Sequence, residues 1–368
     1  DGRVTVIDAE FSEVRAELSL PNPVRLDASG TGSVAAAVDA TDQVVRFITS
    51  GVSIIDHTGE GWEGREHIHI YKSTPTVTDA TLSGVAPGPL KAKGQLWAAY
   101  FGGDEATPAS GLLFSEAPLI QNDVLDPASV VLATNHEGFA LPLGEERLMI
   151  AEGAPDGVAW FTTSGEALGA QMGCPSLHDA LAVGGRVVVG CEGELWRLDP
   201  AAPDAEPLSI ALPTAGAAGA LMGHIDQSLV ATLIDGSIAV VDVEAETSWM
   251  LPGEAPTCDV HFEPASGETL VALQSDGVVR LLDTTSGEVV RAMPVADAFD
   301  CETAVRPRLV VAPEHAYVSR PEAGEVVELN LATGKEIVTY TVGGTPNGLT
   351  VLGGYPANRN AGPCADCK

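Results

Sequence analysis

The sequence predicts an all-β protein folded as a single β-propeller of about eight blades, with seven also compatible. Three observations carry that prediction. A strand–turn–strand phrase occurs twice between Gly277 and Leu329, as Asp276-Gly277-Val278-Val279-Arg280-Leu281-Leu282-Asp283-Thr284-Thr285-Ser286-Gly287 and as Gly324-Glu325-Val326-Val327-Glu328-Leu329-Asn330-Leu331-Ala332-Thr333-Gly334. Each is a β-branched and apolar run closed by Asp or Asn, small polar residues and Gly, then followed by a second run, as a hairpin requires. The phrase recurs at the period of about 40–45 residues that marks propeller blades. No segment shows a helical period, so very little helix is expected. The 40 glycines and 25 prolines supply the turns that so many short strands need.

Taken in order, Arg3–Leu20 reads as two strands, Val4–Asp8 and Val14–Leu18, the outer half of a blade without its inner half. The missing inner strand is available in Asn347–Leu352. Pairing the N-terminal strands with that C-terminal strand would close the ring and remove its exposed edges. Between the ends, blades are placed near 23–73, 77–130, 133–170, 172–212, 214–253, 255–296 and 299–342. Inner strands are read in the compact apolar runs Leu148–Ala151, Val187–Val189, Leu229–Ala231 and Leu270–Leu273. The pairs Asp235-Gly236, Asp276-Gly277 and Glu192-Gly193 read as hairpin turns, where Gly permits a positive φ. The propeller is therefore expected over 1–353, with a C-terminal tail over 354–368 that carries Cys364-Ala365-Asp366-Cys367.

With 19 basic against 51 acidic residues, the formal net charge of -32 repels nucleic acid and anionic membranes and gathers cations. No apolar run reaches the roughly 18–20 residues of a membrane span, so membrane insertion is not expected. No GxSxG elbow, HExxH or phosphate-cradling GxxxxGK[ST] occurs, which removes the simplest routes to a hydrolase or nucleotide enzyme. The six cysteines are even in number. Cys174 and Cys191 bracket one strand-to-strand unit, and Cys258 and Cys301 hold similar places in successive blades. That arrangement favours disulfides and an oxidising compartment, with reduced buried thiols the other reading. The terminal CxxC is either a thiol pair of this kind or a weak metal-binding signal.

The eight histidines carry the chemistry, since imidazole is the natural borderline-soft ligand in an acidic chain. In Glu66-His67-Ile68-His69-Ile70-Tyr71 the alternation puts His67 and His69 on one face of a strand, a ready pair of metal ligands. Two solvated histidines on an outer strand is the alternative. Asp56, His57, Glu60, Glu63 and Glu66 lie close in sequence and can complete a site or sit in water. A second set, His136 with Glu137, His178 with Asp179, and His261 with Asp259, is read at similar offsets just ahead of inner strands of three blades, where residues face the mouth of the central channel. Three converging imidazoles with flanking acids suit tetrahedral zinc, while a hydrogen bond from each to a neighbouring blade is the competing reading. His224 and His315 fit neither set and are expected to be structural.

These residues resemble the AztD family of periplasmic zinc metallochaperones, which partner a zinc ABC transporter and its substrate-binding protein. The likeness rests on His67-Ile68-His69-Ile70-Tyr71, on His136-Glu137-Gly138-Phe139-Ala140-Leu141-Pro142, and on Cys174-Pro175-Ser176-Leu177-His178 followed by Val189-Gly190-Cys191-Glu192-Gly193. It departs from the family pattern at Asp179, where Gly is expected. The resemblance implies a periplasmic propeller that holds Zn2+ and hands it to the substrate-binding protein without turnover; a monomer, secreted with its signal peptide removed, is expected. His67, His69, His136 and His178 are the implied metal ligands, and Cys174–Cys191 the implied disulfide. A metal-dependent propeller hydrolase or lactonase, using Glu137, Asp179 and Asp259, and a metal-free interaction scaffold remain the rival readings.

Overall fold

The structure, a computed structural model, describes residues 2–57, 67–153, 156–224 and 227–353; the side chains of 53–57 and 67–70 lie outside that description. The described strands form seven four-stranded antiparallel sheets and two separate two-stranded ribbons. Each sheet is a blade. The first blade is Arg25–Ala28, Val34–Asp39, Val44–Thr49 and Val77–Ser83, and the later blades begin at Lys91, Ala140, Ala180, Leu221, Thr257 and Leu309. The sequence left seven or eight blades open, and the ring has seven. Glu116–Asn122 is the only helix among the described residues, capped by Ser115, whose side chain accepts from the Ala117 N–H.

Blades stack face to face, and each junction buries its own apolar cluster. Phe47, Trp97 and Phe114 fill the junction of the first and second blades, and Leu141, Met149, Trp160, Val187 and Trp196 that of the third and fourth. This explains where the most apolar runs belong. Leu148–Ala151, Val187–Val189, Leu229–Ala231 and Leu270–Leu273, read from sequence as inner strands, lie instead in the second strand of their blades. A second strand is covered on both faces by neighbouring blades, so it reads as a continuous apolar run. The innermost strand faces the channel with one side and mixes polar residues in, as Arg25-Leu26-Asp27-Ala28 does.

Closure also differs from the sequence expectation. Gly2–Asp8 and Glu13–Leu20 pair only with each other, and residues 347–352 form no strand. The ribbon is wedged at the seam: Val4, Leu18 and Leu20 pack against Ala35, Ala37 and Ile48 of the first blade, and Ile7 against Val326, Tyr340 and Val342 of the seventh. The chain leaves the last strand through Gly343 and Gly344, both left-handed at φ 67° and 62°, and then meets Pro346, which has no N–H to give a ladder. The C-terminal segment therefore closes the seam by packing, through Leu349 and Leu352, and by the Gly353 N–H donating to the Gly32 carbonyl. The tail expected over 354–368 lies outside the described residues.

Strand alternation assigns the connections to two faces. Connections from second to third strands, and from each blade to the next, emerge on one face; those from first to second and from third to fourth emerge on the other. Asp235-Gly236, joining a second to a third strand with φ 50° and 75°, is a hairpin turn of the first group, as read from the sequence.

Candidate functional site

Val52–His57 and His67–Lys72 form a ribbon inserted between the third and fourth strands of the first blade. In its register His57 is paired with His67, and Ile55 with His69. Cross-strand partners share a face, as do residues two apart along a strand, so the register gives His57, His67 and His69 positions on one face. The sequence had treated His57 only as a neighbour; the pairing that brings it in is invisible without the register. Glu60, Glu63 and Glu66 lie outside the described residues. As a third-to-fourth connection, this ribbon leaves the ring on the face opposite to His136 and His178, which sit in the blade-to-blade connections 132–139 and 174–179. The histidines singled out in the sequence therefore form two separate groups.

His136 is half-buried in a small polar cluster. Its Nδ1 lies 2.9 Å from the Tyr100 hydroxyl and 2.8 Å from the Glu137 carbonyl, with the two rings 5.6 Å apart. Burial pushes the carboxyl of Glu152, at the end of Arg147–Glu152, above its usual range, and the His136 imidazole offsets part of that rise. Burial likewise holds the Tyr100 hydroxyl protonated well past its ordinary value. His136 is thus close enough to Glu152 to act on its charge, although no hydrogen bond or ion pair joins them among the described residues. Glu152 and Tyr100 were not picked out from the sequence. The signal was there: Glu152 ends an apolar second strand, where the chain reaches the face that carries His136. His178 is exposed on the next blade-to-blade connection, its backbone N–H 3.4 Å from the Gly190 carbonyl. Among the described residues, no three His, Cys, Asp or Glu side chains converge as a metal cluster.

His261 does not join the other two. It is the fifth residue of Thr257–Phe262, well inside the innermost strand, and its Nε2 lies 3.0 Å from the Leu309 carbonyl of the next blade. That is the blade-to-blade hydrogen bond of the competing reading. Burial lowers its pKa, against the opposing pull of Asp259 and the Leu309 carbonyl. His224 is buried with Nε2 3.1 Å from the Pro264 carbonyl, and His315 places Nδ1 2.6 Å from the buried Glu328.

The carboxylates near the axis have other work. Asp27 accepts the Leu90 N–H at 3.1 Å, Asp179 the Leu221 N–H at 2.9 Å and Asp259 the Leu309 N–H at 3.0 Å. In each case an acid at one blade's inner edge holds the start of the next blade's first strand. Asp179 is further paired with Lys91, which reaches it from the second blade and also stands 5.8 Å over the Phe139 ring. Asp259 also takes Arg306 at 2.7 Å. With both oxygens engaged, Asp179 and Asp259 are not free to hold a divalent ion, which argues against the lactonase-like reading.

Both described cysteine pairs are disulfides: Cys174–Cys191 within the fourth blade's approach and second strand, and Cys258–Cys301 between the sixth blade and the connection to the seventh. Cys364 and Cys367 lie outside the described residues.

No family model matches the chain. In sequence it is 25% identical to the zinc chaperone AztD of Citrobacter koseri, over 366 aligned residues that cover 95% of this chain and 84% of that protein. Its fold matches the crystal structure of Citrobacter koseri AztD with a TM-score of 0.81 at 22% identity, covering 94% of this chain and 93% of the other. The apo form of that protein matches at 0.80 and 21% identity over the same shares. Saccharomyces cerevisiae Sqt1 is more distant, at 0.57 and 13% identity, covering 94% of this chain and 90% of that one. The likeness first read in a few short motifs extends along nearly the whole chain, which is similar in sequence to AztD of Citrobacter koseri and shares its propeller fold.

Proposed function

We propose that the protein is a zinc carrier of the bacterial periplasm, which binds Zn2+ through imidazoles and passes it by ligand exchange to the substrate-binding protein of a zinc ABC importer. Zinc is cargo in this reading, and no turnover is involved. The observation that carries it is the register of the ribbon: His57 opposite His67, with His69 two residues on, on a hairpin that leaves the ring. Imidazoles at adjacent positions of one ribbon face match zinc's preference for nitrogen ligands, and a ribbon outside the ring is within reach of a docked partner. Further support comes from the zinc chaperone relative, from two disulfides suited to an oxidising compartment, and from an acidic surface that concentrates cations. His136 and His178, on two successive blade-to-blade connections of the opposite face, are the second candidate position.

Elemental analysis of the purified protein tests this reading. About one zinc per chain is expected, lost when His67 and His69 are both replaced by Ala and kept when His136 and His178 are. Zinc that survives the ribbon substitution but not the other moves the site to His136 and His178. Absence of zinc from the wild type loaded with excess metal would overturn the carrier reading. Because neutral imidazole is the binding form, affinity should fall as pH drops through about 6.5.

A further inference from the structure

A cavity of about 470 Å³ occupies the central channel, walled by the innermost strands of the first, fifth, sixth and seventh blades and by residues 347–349. Most of its wall is apolar: Leu26, Met222, Leu233, Val260, Leu309 and Leu349. Its charged groups are Arg25, Asp259 and Arg308, and their pairing is uneven. Arg25 is matched by Asp27, with Nη2 3.2 Å from its carboxylate, and also reaches the Gly88 carbonyl at 2.6 Å. Asp259 is consumed by Arg306 and by the Leu309 N–H. The neutral His261 is tied to the Leu309 carbonyl.

That leaves Arg308 the least well matched. Its guanidinium comes no closer than 4.0 Å to Asp259, on the oxygen that already holds Arg306, and it makes no hydrogen bond among the described residues. Burial and the nearby Arg306 both disfavour its charge, only partly offset by Asp259. In a chain with 51 acidic and 19 basic residues, acids to neutralise a cation are abundant, yet this one stands without its own in an apolar cavity.

We infer that the channel cavity is a binding site for a small carboxylate with an apolar body, its carboxylate on the Arg308 guanidinium and its body against Leu26, Met222 and Val260. A planar fork of N–H donors matches a carboxylate in two parallel hydrogen bonds. An apolar pocket of this size with one directional polar group is the common form of a small-molecule site. The occupant is independent of zinc, since none of these residues belongs to either histidine group.

Titration calorimetry with hexanoate, with hexanamide and inorganic phosphate as comparison probes, tests the site. Saturable hexanoate binding is expected, weakened at least about tenfold by Arg308→Met and by loss of the carboxylate in hexanamide. Met222→Trp, which fills the cavity and keeps the guanidinium, should also abolish binding. Arg308→Met should change the thermal midpoint little, because it removes a half-buried cation whose only ion pair is the loose one with Asp259 at 4.0 Å. Absence of saturable binding, equal affinity in Arg308→Met, or phosphate binding as tightly as hexanoate would each overturn the proposal. Zinc content should be the same in wild type and Arg308→Met, so this test and that of the carrier reading fail separately.

Discussion

Replacing Asp259 with Ala should be among the most damaging single changes at the channel wall. One carboxylate oxygen takes the Arg306 guanidinium at 2.7 Å, and the other takes the Leu309 N–H, where the seventh blade begins. Arg306 is only 7% exposed, so once its partner is gone it cannot be rehydrated without opening the wall. Breaking a buried pair from one side costs about 3–5 kcal/mol, and the orphaned N–H adds about 1 kcal/mol. Asp259→Asn keeps an acceptor for Leu309 and loses only the charge, so its cost should be roughly half as large. Urea unfolding at neutral pH with the disulfides intact measures both, as a lower midpoint at unchanged slope. Glu13→Ala is the reference, because its partner Arg15 lies on the surface and such pairs contribute less than about 1 kcal/mol. If Asp259→Ala lost no more than Glu13→Ala, this carboxylate would be neither neutralising Arg306 nor holding the seventh blade to the sixth.

Two other perturbations follow from the same geometry. Cys174–Cys191 closes a loop of 17 residues and Cys258–Cys301 one of 43, so loop entropy gives losses of about 3 and about 4 kcal/mol when each pair is replaced by Ala. Urea midpoints should rank the second removal as the more costly, and the reverse order would refute an entropic account. The lowered pKa of His261 means that the unfolded chain binds its proton first as pH falls. Its contribution is thus fully present above about 6.5 and is lost as pH drops from there toward the folded value. Thermal midpoints measured from about pH 8 to about pH 5 should fall less in His261→Gln than in wild type, and parallel curves would sink this assignment.

The propeller was legible because its signal is local. Turns such as Asp235-Gly236 must adopt positive φ, and buried second strands must be apolar on both faces, so most blades announced themselves, but the boundary at 73/77 was wrong: Val77–Ser83 is the fourth strand of the first blade, cut off from its third by the inserted ribbon. The order of strands within a blade was not legible. Apolarity reports how well a strand is covered, not how near it lies to the axis, and the second strand is covered best. Ring closure failed for a related reason: Asn347–Leu352 has the apolar content of a strand, but whether it pairs depends on the path that Gly343, Gly344 and Pro346 impose before it. Among the acids, Asp179 and Asp259 looked like channel ligands because the sequence shows a carboxylate but not its partners. Lys91 lies 88 positions from Asp179 in the numbering, and no periodicity connects them.

The two histidine groups show most clearly what topology adds to composition. In the sequence, His67 and His69 stand on a strand and His136 and His178 beside inner strands, and nothing says whether they meet. Antiparallel alternation answers this, because a third-to-fourth connection and a blade-to-blade connection emerge on opposite faces of a ring. Between them the channel wall is occupied by Lys91 with Asp179, Arg306 with Asp259, and His261 bonded to Leu309. Each of these contacts fixes one blade against another, and each engages a side chain that would otherwise offer a ligand along the axis. Among the described residues, these engaged side chains offer an ion held on the ribbon no ladder of free ligands leading through the ring to His136. If zinc is passed on by ligand exchange as proposed, the ribbon, with three histidine positions on one face by register, is the face that offers more of the donors such exchange requires.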